Sequence, residues 1–261
     1  MSQIIDRRTF IQSSVGFAGF AAIQPTAIPQ RAVRVSVLGL GAGSLHRMSD
    51  TDSIELLQTA FLNGVTLFDA AAAYGDGVVE TQIGKALHGV RDRIFLSSKT
   101  LRRDKQNALQ DLRASLERLQ TGALDLWMIH DLRTEDEWRR IAQPGGALQA
   151  LQEAKQSGWA RYVGLSANRN PDLVLQAMQT FPFDFIMTPV DADFASKVIP
   201  CAHRSQIGVL AIRVLGLPKK KQRTDGDVRR SIQSALSLPI ASAVVGCENL
   251  KHLQENLRAV L

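Results

Sequence analysis

Gly64-Val65-Thr66-Leu67-Phe68-Asp69 runs into four alanines, Ala70 to Ala73, then Tyr74-Gly75, and the segment Val79–His88 completes the unit. A glycine suited to close a preceding helix leads into a short β-branched and apolar strand, Val65–Phe68. The strand ends on a carboxylate, the connection is built of small residues, and the following apolar residues recur at helical spacing. The same strand–helix unit repeats on both sides. Further strands are predicted at Val35–Leu38, Ile94–Ser97, Leu124–Ile129, Tyr162–Gly164, Phe183–Met187, Gly208–Ala211 and Ala243–Val245. Further helices are predicted at Ser53–Leu62, Lys105–Leu119, Gly146–Gln156, Pro171–Met178, Phe194–Cys201, Val228–Leu236 and Leu250–Leu261. Gly89, Gly122 and Gly158 close helices in the same manner as Gly64, and Pro171 sits where a first turn tolerates it. Strict alternation implies parallel strands joined by right-handed crossovers. Eight units in about 230 residues is the size of a (β/α)8 TIM barrel, so residues 31–261 are read as one barrel domain. A doubly wound sheet with a few extra strands is the alternative.

The composition narrows the function classes. The chain has 261 residues, 45% of them apolar and 21% charged, which excludes a disordered or collagen-like chain. Two cysteines cannot make a disulfide framework or a four-thiolate site, and no metal site is predicted. Cys201 is expected on the far side of the barrel from Cys247, so no bond between them is predicted. The net charge of +6 raises the question of nucleic acid. Its densest stretch, Lys219 to Arg230, is a single loop region with six basic and two acidic residues, and only 6% of the chain is aromatic. A nucleic-acid binder would show a basic stripe interleaved with aromatics, so no nucleic-acid partner is expected.

Residues 1–30 read as an address. Asp6-Arg7-Arg8-Thr9-Phe10-Ile11-Gln12 precedes a mild apolar run, Ser13 to Ile23, and together they resemble a bacterial twin-arginine signal. The run is too short to span a bilayer and no cysteine follows it, so no stable membrane anchor is expected. The alternative is a frayed N-terminal helix carrying two ordinary arginines. The reading implies recognition by the twin-arginine export machinery and a periplasmic protein; a monomer is expected.

In a parallel barrel the chemistry collects at the carboxyl ends of the strands. Four side chains stand out there: Asp69 and Tyr74 after strand two, Lys99 after strand three and His130 after strand four. A carbonyl accepting hydride needs a proton on its oxygen, and tyrosine, with an ordinary pKa of about 10, gives one up reluctantly. A neighbouring ammonium favours the phenolate and is expected to lower that pKa. An aspartate would hold the lysine charged and oriented, and a histidine would hydrogen-bond the substrate oxygen. Singly, each residue has a structural alternative. Paired carboxylates for a glycosidase are thin, with Asp131 and Asp191 the spare candidates.

These residues carry a resemblance. Gly64 to Gly75 with Glu80-Thr81-Gln82-Ile83-Gly84, Ser98-Lys99, Leu124 to His130, Tyr162 to Ser166, Val244-Val245-Gly246 and Glu255-Asn256 together resemble the aldo-keto reductase superfamily, over about residues 33–261. The resemblance implies hydride transfer between NADPH, with NADH possible, and a small-molecule carbonyl substrate. Tyr74 would be the general acid, tuned by Lys99 and Asp69, with His130 orienting the carbonyl. It also implies an extended cofactor lying across the barrel mouth, with Gly41 in the Gly39-Leu40-Gly41-Ala42-Gly43 run beneath the nicotinamide. Ser44 in the third glycine place argues against a dinucleotide fingerprint there.

The implied cofactor positions depart more from the family. Ser166 is kept, but Ala167 and Met187 stand where the nicotinamide amide is usually held, and Asn168 is offered as a substitute. Ile212 replaces a frequent aromatic, with Arg213 and Leu215 following it. Gly246, Cys247 and His252 align with the usual Lys-Ser and Arg around the adenosine 2′-phosphate, which removes the usual argument for NADPH. Glu255 and Asn256 are retained as adenine contacts. The basic run Lys219 to Arg223 would supply phosphate neutralisation together with Arg213, or be a solvated loop. The chain ends soon after Asn256, which by resemblance leaves a shallow pocket, with Trp138 its candidate wall. The altered positions keep a second function open, a weakly catalytic nucleotide-binding or redox-sensing barrel.

Overall fold

A computed structural model describes residues 25–27, 33–216 and 224–261. The arginine pair and the whole run after it, Ser13 to Ile23, together with Lys219 to Arg223, lie outside the described residues. Ten strands are present among those described. β1 (Pro25–Ala27) and β2 (Arg34–Ser36) form an antiparallel pair. The other eight are β3 (Leu38–Gly41), β4 (Leu67–Asp69), β5 (Phe95–Thr100), β6 (Leu124–Leu132), β7 (Ala160–Ala167), β8 (Phe185–Pro189), β9 (Gly208–Ile212) and β10 (Ser242–Gly246). They close in chain order, each parallel to its neighbours, with β10 returning to β3. The fold is a (β/α)8 barrel.

The first barrel strand differs from the prediction. Val35 belongs to β2, and the barrel begins at Leu38. Glycine weakens a strand, so Gly39 and Gly41 read as loop in the sequence. In the barrel they serve close approach: a Cβ on Gly39 would lie 2.7 Å from Leu67 Cδ2. Val33 and Val35 are buried with Leu67, Phe95, Leu126 and Phe185 inside the barrel.

The helices are α1 (Asp50–Leu62), α2 (Val78–Leu87), α3 (Lys105–Arg118), α4 (Glu135–Ala142), α5 (Ala147–Gln156), α6 (Pro171–Thr180), α7 (Ile199–Arg204), α8 (Asp225–Leu236) and α9 (Leu250–Arg258). α4 is absent from the prediction. Thr134 caps it, accepting from the Glu137 amide, with Glu135, Asp136 and Glu137 in the first turn, and Trp138 and Ile141 form its buried face. Trp138 is therefore packed in the helix–sheet core and does not wall a pocket. The Phe194–Cys201 helix is also remade, as a π turn at Phe194–Val198 that continues into α7.

The two faces of each strand divide the chemistry. Along β5, Phe95 packs inside the barrel while Leu96 joins the core beneath the helices. By the two-residue period, Ser97 and Lys99 then point inward, and Ser98 and Thr100 outward. The hydrogen bonds agree: Ser97 and Lys99 reach Asp69, Ser98 donates to Glu80 of α2, and Thr100 donates to Asp111 of α3.

Candidate active site

β4 delivers Asp69 to the top of the barrel interior, and the chain then turns through Ala70 and Ala71, both fully buried. Gly75 and Asp76 adopt left-handed conformations, with φ of 58° and 51°, and Gly77 follows at 89° before α2 begins. A Cβ on Gly75 would lie 2.5 Å from that of His46, so glycine is required by space as well as by φ. Arg118 fills the space beside Gly77 and pairs at 2.6 Å with the fully buried Glu80. This tight turn places the Tyr74 ring over the strand ends.

Lys99 is 1% exposed and saturates its three donors. Its Nζ donates to Asp69 Oδ2 at 2.7 Å, to the Ala70 carbonyl at 2.6 Å and to Tyr74 Oη at 3.4 Å. The other Asp69 oxygen accepts from Ser97 Oγ at 2.7 Å. Burial opposes the lysine's charge, but Asp69 and the tyrosine oxygen outweigh it and hold the ammonium above its ordinary pKa. The tyrosine behaves differently from the sequence expectation. Burial pushes Tyr74 above its ordinary value, and the attraction of Lys99, partly cancelled by Asp69, does not reverse that. In the resting site the phenol is thus a protonated group with a cation waiting at its oxygen.

His130 meets Tyr74 edge to face, with ring centroids 5.6 Å apart. Burial first, then the Lys99 charge, depress its pKa to about 3, so it is a neutral imidazole throughout the ordinary pH range. Its Nδ1 is buried without a partner.

A cleft of about 730 Å³ lies at the carboxyl ends of the strands. Asp69, Tyr74 and His130 line it, and Lys99 sits behind Tyr74. Of the residues proposed for a cofactor, Gly41, Ser166, Asn168, Met187, Arg213, Leu215, Gly246, His252, Glu255 and Asn256 line the same cleft. Cys247 does not. Its side chain turns into the core, where Asn256 Nδ2 donates to Sγ at 3.3 Å, and burial lifts the thiol to about 12. Its contribution is the backbone carbonyl, which accepts from Ser44 Oγ at 2.6 Å and ties the β3 loop to β10. Asp131 and Asp191 are not in the cleft wall: Asp131 pairs with Arg133, and Asp191 accepts from the Phe194 amide.

Three polar lining residues escaped the sequence reading: Ser44, Glu248 and Lys251. In the sequence, Ser44 signals only the absence of a third glycine. Glu248 and Lys251 flank the junction of β10 and α9, where the Asn249 cap, accepting from the His252 amide at 2.9 Å, was the available signal.

The cleft residues fit a nicotinamide dinucleotide. Asn168 Oδ1 is buried and unpartnered, an acceptor suited to a carboxamide N–H. Gly43 faces the Tyr74 ring, where a Cβ would stand in ordinary contact at 3.5 Å.

The Aldo/keto reductase family profile matches residues 37–240. This chain belongs to that family. The Bacillus subtilis (strain 168) relative named Aldo-keto reductase YhdN is 30% identical over 209 residues, 71% of this chain and 60% of that protein. Methylglyoxal reductase YeaE of Escherichia coli (strain K12) is 35% identical over 102 residues, 37% of this chain and 36% of that protein. The chain thus spans about 60% or less of the length of these curated relatives. Among solved structures, the holo form of aldo-keto reductase AKR11C1 from Bacillus halodurans matches with a TM-score of 0.78 at 22% identity, covering 91% of each chain. An aldo/keto reductase from Klebsiella pneumoniae in complex with NADP and acetate matches at 0.70 and 20%, covering 87% of each. At these identities the structural likeness shows the fold.

Proposed function

We propose that this protein is a carbonyl reductase dependent on a nicotinamide dinucleotide, converting an aldehyde or ketone to an alcohol with Tyr74 as general acid. The observation that carries the reading is the Asp69–Lys99–Tyr74 relay at the floor of a cleft large enough for both reactants. When bound, the reduced dinucleotide supplies the hydride that the carbonyl carbon accepts. Tyr74 Oη gives its proton to the carbonyl oxygen, and the phenolate left behind is met by the Lys99 ammonium. The neutral His130 donates its one ring N–H in a hydrogen bond to the same oxygen, and it lacks the second proton that an acid would transfer. Ser166 and Asn168 would hold the carboxamide, with Gly41 beneath the ring. Glu255 and Asn256 would meet the adenine. Tyr74→Phe tests the assignment: carbonyl reduction should fall about 10²- to 10⁴-fold while dinucleotide affinity is kept. A variant that retains its rate sinks the role given to Tyr74.

Met187 in the cleft wall, where the resemblance implies an amide, favours a second reading as a nucleotide-binding sensor. Tight dinucleotide binding with no turnover across an aldehyde and quinone screen would select it. We also infer export by the twin-arginine route, on the strength of Arg7-Arg8 and the mild apolar run behind them, and a monomeric barrel. A reporter fused to residues 1–30 that stays in the cytoplasm would refute export, and a dimer mass in light scattering would refute the monomer.

A further inference from the structure

We propose that Glu248 makes the cleft selective for NADH, whose adenosine ribose carries a free 2′-hydroxyl, over NADPH, whose ribose carries a 2′-phosphate. The proposal rests on the reading of the cleft as a nicotinamide dinucleotide site. Tyr74 and His130 mark the reacting end of that cleft. The end of β10 and the first turns of α9 wall it elsewhere, through Gly246, Glu248, Lys251, His252 and Glu255. This is the part of the wall left for the adenosine half once the nicotinamide lies beside Tyr74.

The charges at this end decide the argument. Lys251 Nζ lies 3.8 Å from Glu255 Oε1, so its cation is already shared with a carboxylate. The exposed carboxylate of Glu248 makes no ion pair or hydrogen bond with any residue of the chain described here. The His252 amide, a donor that an N-terminal helical turn could offer an anion, is occupied by the Asn249 side chain. A phosphate monoester carries close to two negative charges at neutral pH and needs cations or free donors. Among the described residues at this end it would meet an unpaired anion and a cation shared with Glu255. A ribose diol has the opposite requirement. Its two hydroxyls donate, and an unpaired carboxylate accepts from both, as an acidic residue does for the ribose of NAD in dinucleotide folds of another architecture.

The experiment is calorimetric titration of the full-length protein, freed of bound nucleotide, with NADH and with NADPH, repeated for Glu248→Gln and Glu248→Arg. Circular dichroism melting accompanies each protein, and the exposed position of Glu248 makes unchanged melting the expectation. The wild type should bind NADH at least about tenfold more tightly than NADPH, a difference of about 1.4 kcal/mol. Glu248→Gln should shrink that ratio mainly by improving NADPH. Glu248→Arg should invert it. Equal or tighter NADPH binding by the wild type overturns the selectivity alone and leaves the reductase reading standing. Ratios unmoved by both substitutions remove Glu248 from the argument. No binding of either dinucleotide by folded protein overturns the site reading and the proposal with it.

Discussion

The two ends of the cleft are built on different principles. At the reacting end, Asp69, Lys99 and His130 are carried on strands, and each of the first two is held by several hydrogen bonds inside the barrel. At the α9 end, Glu248, Lys251 and His252 project from a strand–helix joint, the first two exposed and the third half-buried, with one long ion pair from Lys251 to Glu255. Strand-borne groups inherit the rigidity of the closed sheet and can hold a proton donor in place. Joint-borne groups are replaceable without disturbing the barrel, so that end can set which cofactor is taken.

The widest gap between the two ends should appear in Tyr74→Phe against Glu248→Arg. The first should cost about 10²- to 10⁴-fold in rate with affinity kept; the second should move the NADH-to-NADPH affinity ratio. Comparable effects of both on affinity would erase the distinction. Next in size is Lys99→Met, which leaves Asp69 as an uncompensated buried charge. Unfolding in denaturant should show a loss of about 3–5 kcal/mol, against less than about 1 kcal/mol for Lys251→Met at the other end. Equal losses would mean that the reacting end is no more tightly built.

The pH dependence sharpens the contrast further. His130 is held near 3 and Tyr74 above its ordinary range, so neither changes charge between about pH 5 and 9. The rate of the chemical step should be level across that window, falling only as the phenol ionises at high pH. A single-turnover profile that loses activity as pH falls through about 6.5 would show a His130 that titrates, contrary to its burial. A smaller effect than at Lys99 is expected from Ser44→Ala, which removes the bond that joins the two halves of the wall at Cys247. Melting should reveal a loss of about 0.5–1.5 kcal/mol, and any change in dinucleotide affinity should be slight.

The reacting end was legible because strand and chemistry share one pattern. Leu67 and Asp69, Phe95 and Lys99, and Met128 and His130 obey the two-residue period, so a strand located in the sequence also locates its inward groups. Where that pattern lapses, reading failed. Gly39 and Gly41 look like a loop because the reason for them is Leu67 on the neighbouring strand. Trp138 follows His130 closely in sequence, yet the Thr134 cap starts a helix that turns the indole into the core. The direction of the Tyr74 shift also reversed, since the lysine was visible in the sequence and the depth of burial was not.

Local pattern along the chain carries the alternation of strands and helices, the placing of Asp69, Tyr74, Lys99 and His130 at strand ends, and the family. These depend on local periodicity and on residue chemistry at strand ends, which are written along the chain. Tertiary structure decided the rest. Closure of β10 onto β3 brings Ser44 to Cys247 and sets Glu248, between β10 and α9, on the wall shared with Tyr74. Burial then chose between opposing electrostatic influences on the phenol and the imidazole. Those outcomes depend on which distant segments exclude water from a group, and no local pattern encodes that.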